Sequence, residues 1–451
     1  MTVTPVVDQG LGNSAYVVDL GDGGGLVVDP QRDRRPYEAT LAAEGLRPRF
    51  VIETHLHADF VSGGPELMAQ GAELLAPAGS DLVASHRPLT DGDEVELGGL
   101  TLEVIATPGH TPEHLAYLLK DGAQPLGLFS GGTLLAGGIA RTDLLSPELT
   151  EPLARQAYRS VRDRLFTLPD DLPVLPTHGA GSFCSAAPGG ERTTTIGREK
   201  AANPLLADGV DEDAFVARLL SGYGTYPPYF LELRDENRAG PAVLGSDGRA
   251  LPGLTPPAFQ AAIEAGAEVV DARASAAFAA GHIPGSIANA WRPAFATWLG
   301  WLADRDRDVL LVVDDSVPVA DLAWAAATVG YDRLIGTLAG GMAAWRGEDR
   351  PVTTIPLLTA AQATGRRIVD VRQRTEHLAG HVAGSHNAEL GSLVTAPDQV
   401  DRAPTLAHCG HNERAMSAAS LLARAGHTDV AALDGGPQDL AAAGAPLGVA
   451  Q

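Results

Sequence analysis

Cysteine is nearly absent: 451 residues carry two, Cys184 and Cys409. So few and so far apart, they exclude a disulfide-stapled fold, and each reads as a single thiol in a reducing compartment. Positive charge is also scarce, with 33 Lys and Arg against 56 Asp and Glu and a formal net charge of −23. The resulting field repels nucleic acid and anionic lipid, so neither is expected as a partner. Long apolar runs are missing as well. No stretch reaches the roughly 18 uninterrupted apolar residues of a membrane span. The opening MTVTPVVDQGLGNSAYVVDLG lacks the basic-then-apolar order of a secretion signal. A soluble, cytoplasmic protein is expected.

What is present is ample apolar material, 45% of the residues, in a chain too long for one core; about three domains are expected. In a first domain of residues 1–245, short β-rich segments alternate with Gly turns and helices up to about residue 180: AYVVDL, GLVVDP, RFVIETH, LTLEVIATPGH, LPVLPTHG. Several end on a polar or His-bearing turn, the usual place for chemistry on a sheet scaffold, and an α/β sandwich fits them. Residues 186–245 read as helical decoration and a Pro-rich bridge. Beyond 245 the chain repeats itself. VVDARASAAFAAGHIPGS (269–286) matches IVDVRQRTEHLAGHVAGS (368–385), aligning Asp271 with Asp370, Arg273 with Arg372 and Gly281-His282 with Gly380-His381. Two similar α/β domains, 246–352 and 353–451, are expected, each with a buried strand ending in Asp-x-Arg and a Gly-His turn.

Two stretches carry chemistry. In ETHLHADFVSGG, the strand RFVIE delivers His55 and His57 onto a loop, and LEVIATPGH delivers His110 in the same way. Imidazoles at neighbouring strand ends can converge on a cation through neutral nitrogens. Asp59 and His178 are outer partners that orient the imidazoles, or polar core groups. Phe60 stands where a two-metal hydrolase would keep another histidine. In HCGHNERAMSAASLLARAG, Cys409 lies between an apolar strand and a helix starting near Arg414. Backbone amides of Gly410, His411, Asn412, Glu413 and Arg414 can surround the sulfur, and the helix N-terminus favours a thiolate there. Arg414 is the partner for an anionic sulfur donor, whereas Glu413 places a negative charge on its approach. The first repeat reads LLVVDDSVPVADLAW, with Asp314 near the cysteine's place. A carboxylate cannot carry sulfane sulfur, so that repeat reads as a non-catalytic spacer or docking module.

Strand-D-x-R, then G-H-I-P-G-S, then strand-C-x4-R into a helix, then G-G, resembles the rhodanese sulfurtransferases over most of residues 255–451. The N-terminal part resembles the persulfide dioxygenase type of the metallo-β-lactamase fold, an αββα sandwich, through THLHADFVSGG, TPGHTPEHLAYLL, FSGGTLLAGGIARTDLL and THGAGSFCS in that order. The resemblance implies one Fe(II) on His55, His110 and a carboxylate at position 132, where this chain has Gly132; His57 then completes a three-histidine set. It places Arg141 near the substrate, where it would hold a carboxylate unless it only pairs with Asp143, and brings Cys184 close enough to receive persulfide unless it is structural. The implied activity is oxidation of a low-molecular-weight persulfide to thiol and sulfite with O2, with sulfane sulfur carried by Cys409 to or from sulfite or thiosulfate, in a homo-oligomer. The alternatives are a sulfurtransferase or persulfide-binding protein whose metal domain is silent and holds no metal, and a hydrolase with a single Zn(II).

Overall fold

The computed structural model describes residues 2–185, 190–207, 209–245 and 250–448. The chain forms two compact units, Met1–Gly248 with Ala327–Gly330, and Arg249–Ala326 with Tyr331–Gln451. Residue 246, where the second domain is expected to begin, lies outside the described residues.

The first unit holds two six-stranded sheets. One runs in the order β1 (Val3–Asp8), β2 (Asn13–Asp19), β3 (Gly24–Val28), β4 (Arg47–Ile52), β5 (Glu73–Pro77), β6 (Arg87–Leu89). The other contains β7 (Glu94–Leu97), β8 (Leu100–Ala106), β9 (Leu115–Asp121), β10 (Gln124–Gly131), β11 (Pro173–Pro176) and β12 (Thr194–Thr195). Side chains alternate across a strand, so each sheet offers two apolar faces. Tyr16, Val18, Leu26, Val28 and Ile52 of the first sheet meet Leu102, Val104, Tyr117, Leu119 and Phe129 of the second. The opposite face of the first sheet, with Ala15, Val17, Val27 and Val51, packs on Tyr37 and Leu41 of the helix Arg35–Ala43. Ile105, Ala116, Leu118 and Leu128 of the second sheet pack on the helices Pro147–Arg159 and Glu212–Ser221. This is the expected αββα sandwich. With roughly 1.5–3 kcal/mol for each fully buried aliphatic side chain, covering both faces of both sheets fixes the strand ends that carry the polar loops.

In the second unit the repeat is visible as topology. The strands β13 (Gly253–Leu254), β14 (Glu268–Asp271), β15 (Ile287–Ala288), β16 (Val309–Val312) and β17 (Leu334–Leu338) pair in the order β13-β17-β16-β14-β15. After them, β18 (Leu357–Leu358), β19 (Arg367–Asp370), β21 (His386–Asn387), β22 (Thr405–His408) and β23 (Val430–Leu433) pair as β18-β23-β22-β19-β21, while β20 (His381–Val382) pairs with β24 (Leu447–Gly448). Both five-stranded sheets are parallel throughout. The wholly buried β16 and β22 are what a parallel sheet covered on both faces requires. In each copy the Asp-x-Arg motif folds back on itself. Arg273 grips Asp271 through Nε (2.8 Å) and Nη2 and reaches the Gly281 carbonyl at 3.0 Å. Arg372 does the same to Asp370 (2.9 Å) and to Gly380 (2.7 Å). No helix among the described residues is long and apolar enough to cross a membrane.

Candidate metal centre and thiol site

The loops after β4, β8 and β11 bring His55, His110 and His178 together, with one ligand atom of each within 4.8 Å of the others. All three are buried. Each is oriented through its Nδ1. Thr54 Oγ1 donates to Asp29 Oδ2 at 2.7 Å, so toward His55 Nδ1, 2.8 Å away, it is an acceptor. His110 Nδ1 donates to the Arg141 carbonyl (2.6 Å), and His178 Nδ1 to Asn13 Oδ1 (3.1 Å). With these protons on Nδ1, the Nε2 lone pairs face the cluster, and those of His55 and His178 lie 3.4 Å apart. Two facing lone pairs repel unless a proton or a cation sits between them. Burial, followed by the neighbouring imidazoles, holds His55 well below the usual histidine range and brings His110 down to about 3. Neutral nitrogens of this kind are metal donors. Asp59 completes the wall: its Oδ2 takes the Asn13 amide (2.8 Å) and lies 3.3 Å from His178 Nδ1, while its buried Oδ1 has no partner. The residues fit a metal ion.

His57, expected as a ligand, is drawn elsewhere. Its Nε2 lies 3.1 Å from Glu53 and 3.3 Å from Asp29. Burial opposes its charge, but the two carboxylates overcome this and raise its pKa to about 10. Asp29 adopts a left-handed φ of 47° at the end of β3, a conformation that Asp tolerates at a cost. There it also accepts from the Thr54 amide (2.7 Å) and from the Thr177 hydroxyl. Phe60 is fully buried and stacks on His57 with centroids 4.2 Å apart. His178 joins His55 and His110 in one donor group, while His57 belongs to two others, with Asp59 and His178 and with Asp29 and Glu53.

Gly132 also differs from expectation. A Cβ there would lie 2.6 Å from the His110 ring and 3.1 Å from Ala140 Cβ, so no side chain fits without moving a ligand. Its amide donates to Nε2 of His114 at 3.0 Å, and His114 Nδ1 lies 2.9 Å from Thr107 Oγ1. His114 stacks on His55 at 4.9 Å and is committed to positioning. Its place four residues after His110 in TPGHTPEH was the available signal for it. Arg141 is a buried brace rather than an open fork. Its Nε and Nη2 pair with Asp143 (2.7 and 2.8 Å), and it bonds the Phe183 and Gly224 carbonyls and packs over Tyr226. Cys184 is buried, and desolvation with Asp59 beside it pushes the thiol pKa well up. Such a thiol stays protonated and a poor nucleophile. A cavity of about 400 Å³ reaches His110 past Leu56, Ala58, Leu144, Phe230 and Arg234, with Arg234 clamped to Glu113 at 2.8 and 2.9 Å.

In the second unit, Cys409 follows β22 directly, and the helix Glu413–Arg424 begins four residues later. Gly435 donates to the His411 carbonyl (3.0 Å), and Asn412 Nδ2 donates to Asp434 (2.9 Å). Gly436 allows close packing, since a Cβ there would lie 2.5 Å from the Gly410 carbonyl. Gly410 and His411 are exposed, whereas Cys409 is buried. Glu413 Oε2 lies 3.4 Å from the Asn412 amide. Arg414, expected to meet an anionic donor, has its fork on Glu376 (2.6 and 2.9 Å) and its face over Trp298. Glu376 was missed; aligning the repeats sets it against Ala277, the one signal it offered. In the first repeat, Asp271 pairs with Val312 as Asp370 pairs with His408. Val313 therefore takes the cysteine's place, and Asp314, one residue on, forms an exposed turn by accepting from the Ser316 amide at 3.0 Å.

The Rhodanese-like domain family matches residues 255–348 and 356–443, and the Metallo-beta-lactamase superfamily matches residues 8–76. The mitochondrial persulfide dioxygenase ETHE1 of Homo sapiens is 31% identical over 190 residues, 42% of this chain and 68% of that protein. A hydroxyacylglutathione hydrolase of Pseudomonas paraeruginosa is 41% identical over 154 residues, 34% of this chain and 55% of its own length. The crystal structure of a metallo-beta-lactamase from Staphylococcus aureus subsp. aureus COL is similar at 29% identity over 75% of this chain and 98% of that one, with a TM-score of 0.66.

Proposed function

For a chain that belongs to the persulfide dioxygenase family of the metallo-β-lactamase superfamily and carries two rhodanese-like domains behind that domain, we propose two linked sulfur reactions. The first unit oxidises a low-molecular-weight persulfide, RSSH + O2 + H2O → RSH + SO3²⁻ + 2 H⁺. The second moves sulfane sulfur through Cys409 to or from sulfite. The observation that carries the first is the convergence of His55, His110 and His178 with every Nδ1 already engaged. These three would hold Fe(II), which supplies the redox chemistry when bound. Around it the chain's own groups orient and enclose. Asp29, Thr54 and Asn13 fix the imidazoles, Asp59 presents a buried carboxylate oxygen, and the cavity beside His110, lined by Leu144 and Phe230 as well as Arg234 and Asp235, receives a small thiol compound. Arg141 and His114 act as positioning residues. We assign the work to a reducing cytoplasm, in keeping with two free cysteines, and to a homo-oligomer.

Metal analysis of protein purified without added metal, paired with O2 uptake on glutathione persulfide, tests the reading. Iron and persulfide-dependent O2 uptake are expected. His178→Ala should lower metal content as much as His55→Ala and His110→Ala, on the order of tenfold or more. Loss confined to His55, His57 and His110 would return the site to the three ligands the sequence suggested. The likeness to hydroxyacylglutathione hydrolase favours a second reading, a one-zinc thioester hydrolase. Zinc in the protein together with thioester cleavage would select it, although Phe60 fills the position a second metal's histidine needs.

A further inference from the structure

Leu56 lines a second cavity as well as the one that reaches His110. This second space, of about 20 Å³, lies among β5, the helix Gly64–Met68 and the end of the helix Phe230–Ala239, and its walls include His55 and His57. It has room for one molecule of about two heavy atoms, since a water needs roughly 10–15 Å³. The lining is almost wholly apolar, with Pro65, Leu74, Ala76, Leu82, Ala84 and Pro241. The polar side chains in the wall are engaged with one another or with the backbone. Ser62 donates to Glu53, whose Oε2 lies 3.1 Å from His57 Nε2, and Ser80 donates to the Pro77 carbonyl at 2.6 Å. Asn237 accepts from the Ser62 amide at 2.8 Å, and its Nδ2 donates to the His57 and Phe60 carbonyls at 2.8 and 2.9 Å. Of these wall side chains, only His57 has a buried polar atom, Nδ1, without a partner. A buried water settles on two to four polar partners, so this space favours an apolar guest. The cavity at His110 is different in kind, with Thr111, Arg234, Asp235 and Arg238 in its wall.

We propose that the small apolar cavity beside Leu56 holds dioxygen, while the larger cavity at His110 takes the persulfide, so that the two reactants come to the histidines by separate ways. This rests on the dioxygenase reading of the first unit. A persulfide is anionic or polar at its sulfur end and would lose hydration that Leu74, Ala76 and Pro241 cannot replace. Dioxygen has no charge, and an apolar molecule gains by leaving water for an apolar space. Its two atoms also match the volume. His55 belongs both to this wall and to the donor group with His110 and His178, so a guest in the cavity rests against a ring of the metal centre. Leu56, common to both walls, is the partition between the two reactants.

The test is methyl relaxation in the full chain under oxygen pressure against nitrogen pressure, with no persulfide present, because paramagnetic O2 relaxes the methyl groups it touches. Leu74 and Ala76 should relax several-fold faster than Leu118 and Ala116, which are buried to a like degree elsewhere in the sandwich. Leu82→Trp fills the space and should remove that excess. In persulfide-dependent O2 uptake the same variant should raise KM for O2 several-fold, with KM for persulfide little changed. Equal relaxation of the two pairs in the wild type overturns the proposal, and so does an unchanged KM for O2 in a variant that has lost the excess. Should Leu82→Trp not fold, Ala84→Phe decides by the same two readouts. If the wild type consumes no O2, the dioxygenase reading fails, yet the methyl relaxation still accepts or rejects the dioxygen cavity.

Discussion

The two rhodanese-like repeats have the same five-stranded parallel topology and the same Asp-Arg fork closing the same Gly-His turn. They differ where the central strand meets its following helix. In the second repeat, residues 409–412 cross from β22 to the helix Glu413–Arg424; in the first, residues 313–318 cross from β16 to the helix Val319–Thr328. The copy without a thiol has the longer loop, capped by an exposed turn at Asp314. Beside the loop, Glu376 and His377 stand where the first copy has Ala277 and Phe278. The shared fork belongs to a copy with no thiol, so Asp-x-Arg is a folding device. What separates the cysteine-bearing copy is a short loop and the polar groups that lean on it.

The largest effect should come from removing that difference at one atom. Cys409→Ser is expected to reduce sulfur transfer to cyanide or sulfite below detection, because oxygen is a poor sulfane carrier, while O2 uptake by the first unit continues. Placing a thiol in the other copy, Val313→Cys in the Cys409→Ser background, should restore no transfer, since its loop is longer and lacks a Glu376–Arg414 pair. Transfer recovered in that double variant would show that the loop does not matter. Cys184→Ser should leave transfer intact, because that thiol is buried in the first unit.

The next effect is smaller. Arg414 is held by Glu376 in a half-sheltered ion pair, with Glu376 39% exposed. Hydrogen bonds to charged groups contribute about 1.5–3 kcal/mol. If the pair holds Arg414 in its working position, Glu376→Ala should slow transfer by roughly 10- to 100-fold without unfolding the domain. Steady-state kinetics with thiosulfate checks this, and an unaltered rate would show the pair to be only a surface contact.

Much of this was legible in the residues. Short β-rich segments alternating with Gly turns and helices pointed to the sandwich, and the matched Asp-x-Arg and Gly-His elements to two like domains, because those patterns are local and set by backbone geometry. The histidines were expected on loops at strand ends of one sheet; they do lie on such loops, but β4, before His55, and β8, before His110, belong to different sheets. What the sequence did not reveal is partner choice inside them. His57 and His178 look alike in one dimension. Only the fold shows that Asp29 and Glu53 surround the first while Asn13 turns the second toward His55. Asn13 lies 165 residues from His178, and no local pattern links them. Gly132 reads as a missing ligand in the sequence, whereas in the fold a Cβ there would lie 2.6 Å from the His110 ring.

The smallest effect separates the two Asp-Arg forks by pH. In the first repeat, burial outweighs Arg273 and raises the Asp271 pKa. In the second, burial acts the same way, but Arg372, His408 and His377 overcome it and bring Asp370 down to about 2. His377 donates to Asp370 at 2.9 Å, whereas Phe278 at the matching position can donate nothing. The signs therefore oppose. Asp370 binds its proton less tightly folded than unfolded, so its stabilising contribution is complete above 3.8 and is lost as pH falls through about 2. Asp271 binds its proton more tightly folded, so acid favours the folded form at that site. Hydrogen exchange, corrected for its intrinsic pH dependence, should show protection of Arg367–Asp370 falling between pH 4 and 2 relative to Glu268–Asp271. His377→Phe should shrink that gap by removing one of the groups that lower Asp370, and the protection it removes should be missing at pH 7, where the Asp370 contribution is complete, and not at pH 2. Parallel loss of protection in both strands would mean that the forks titrate alike and that the histidines beside Asp370 do not distinguish the copies.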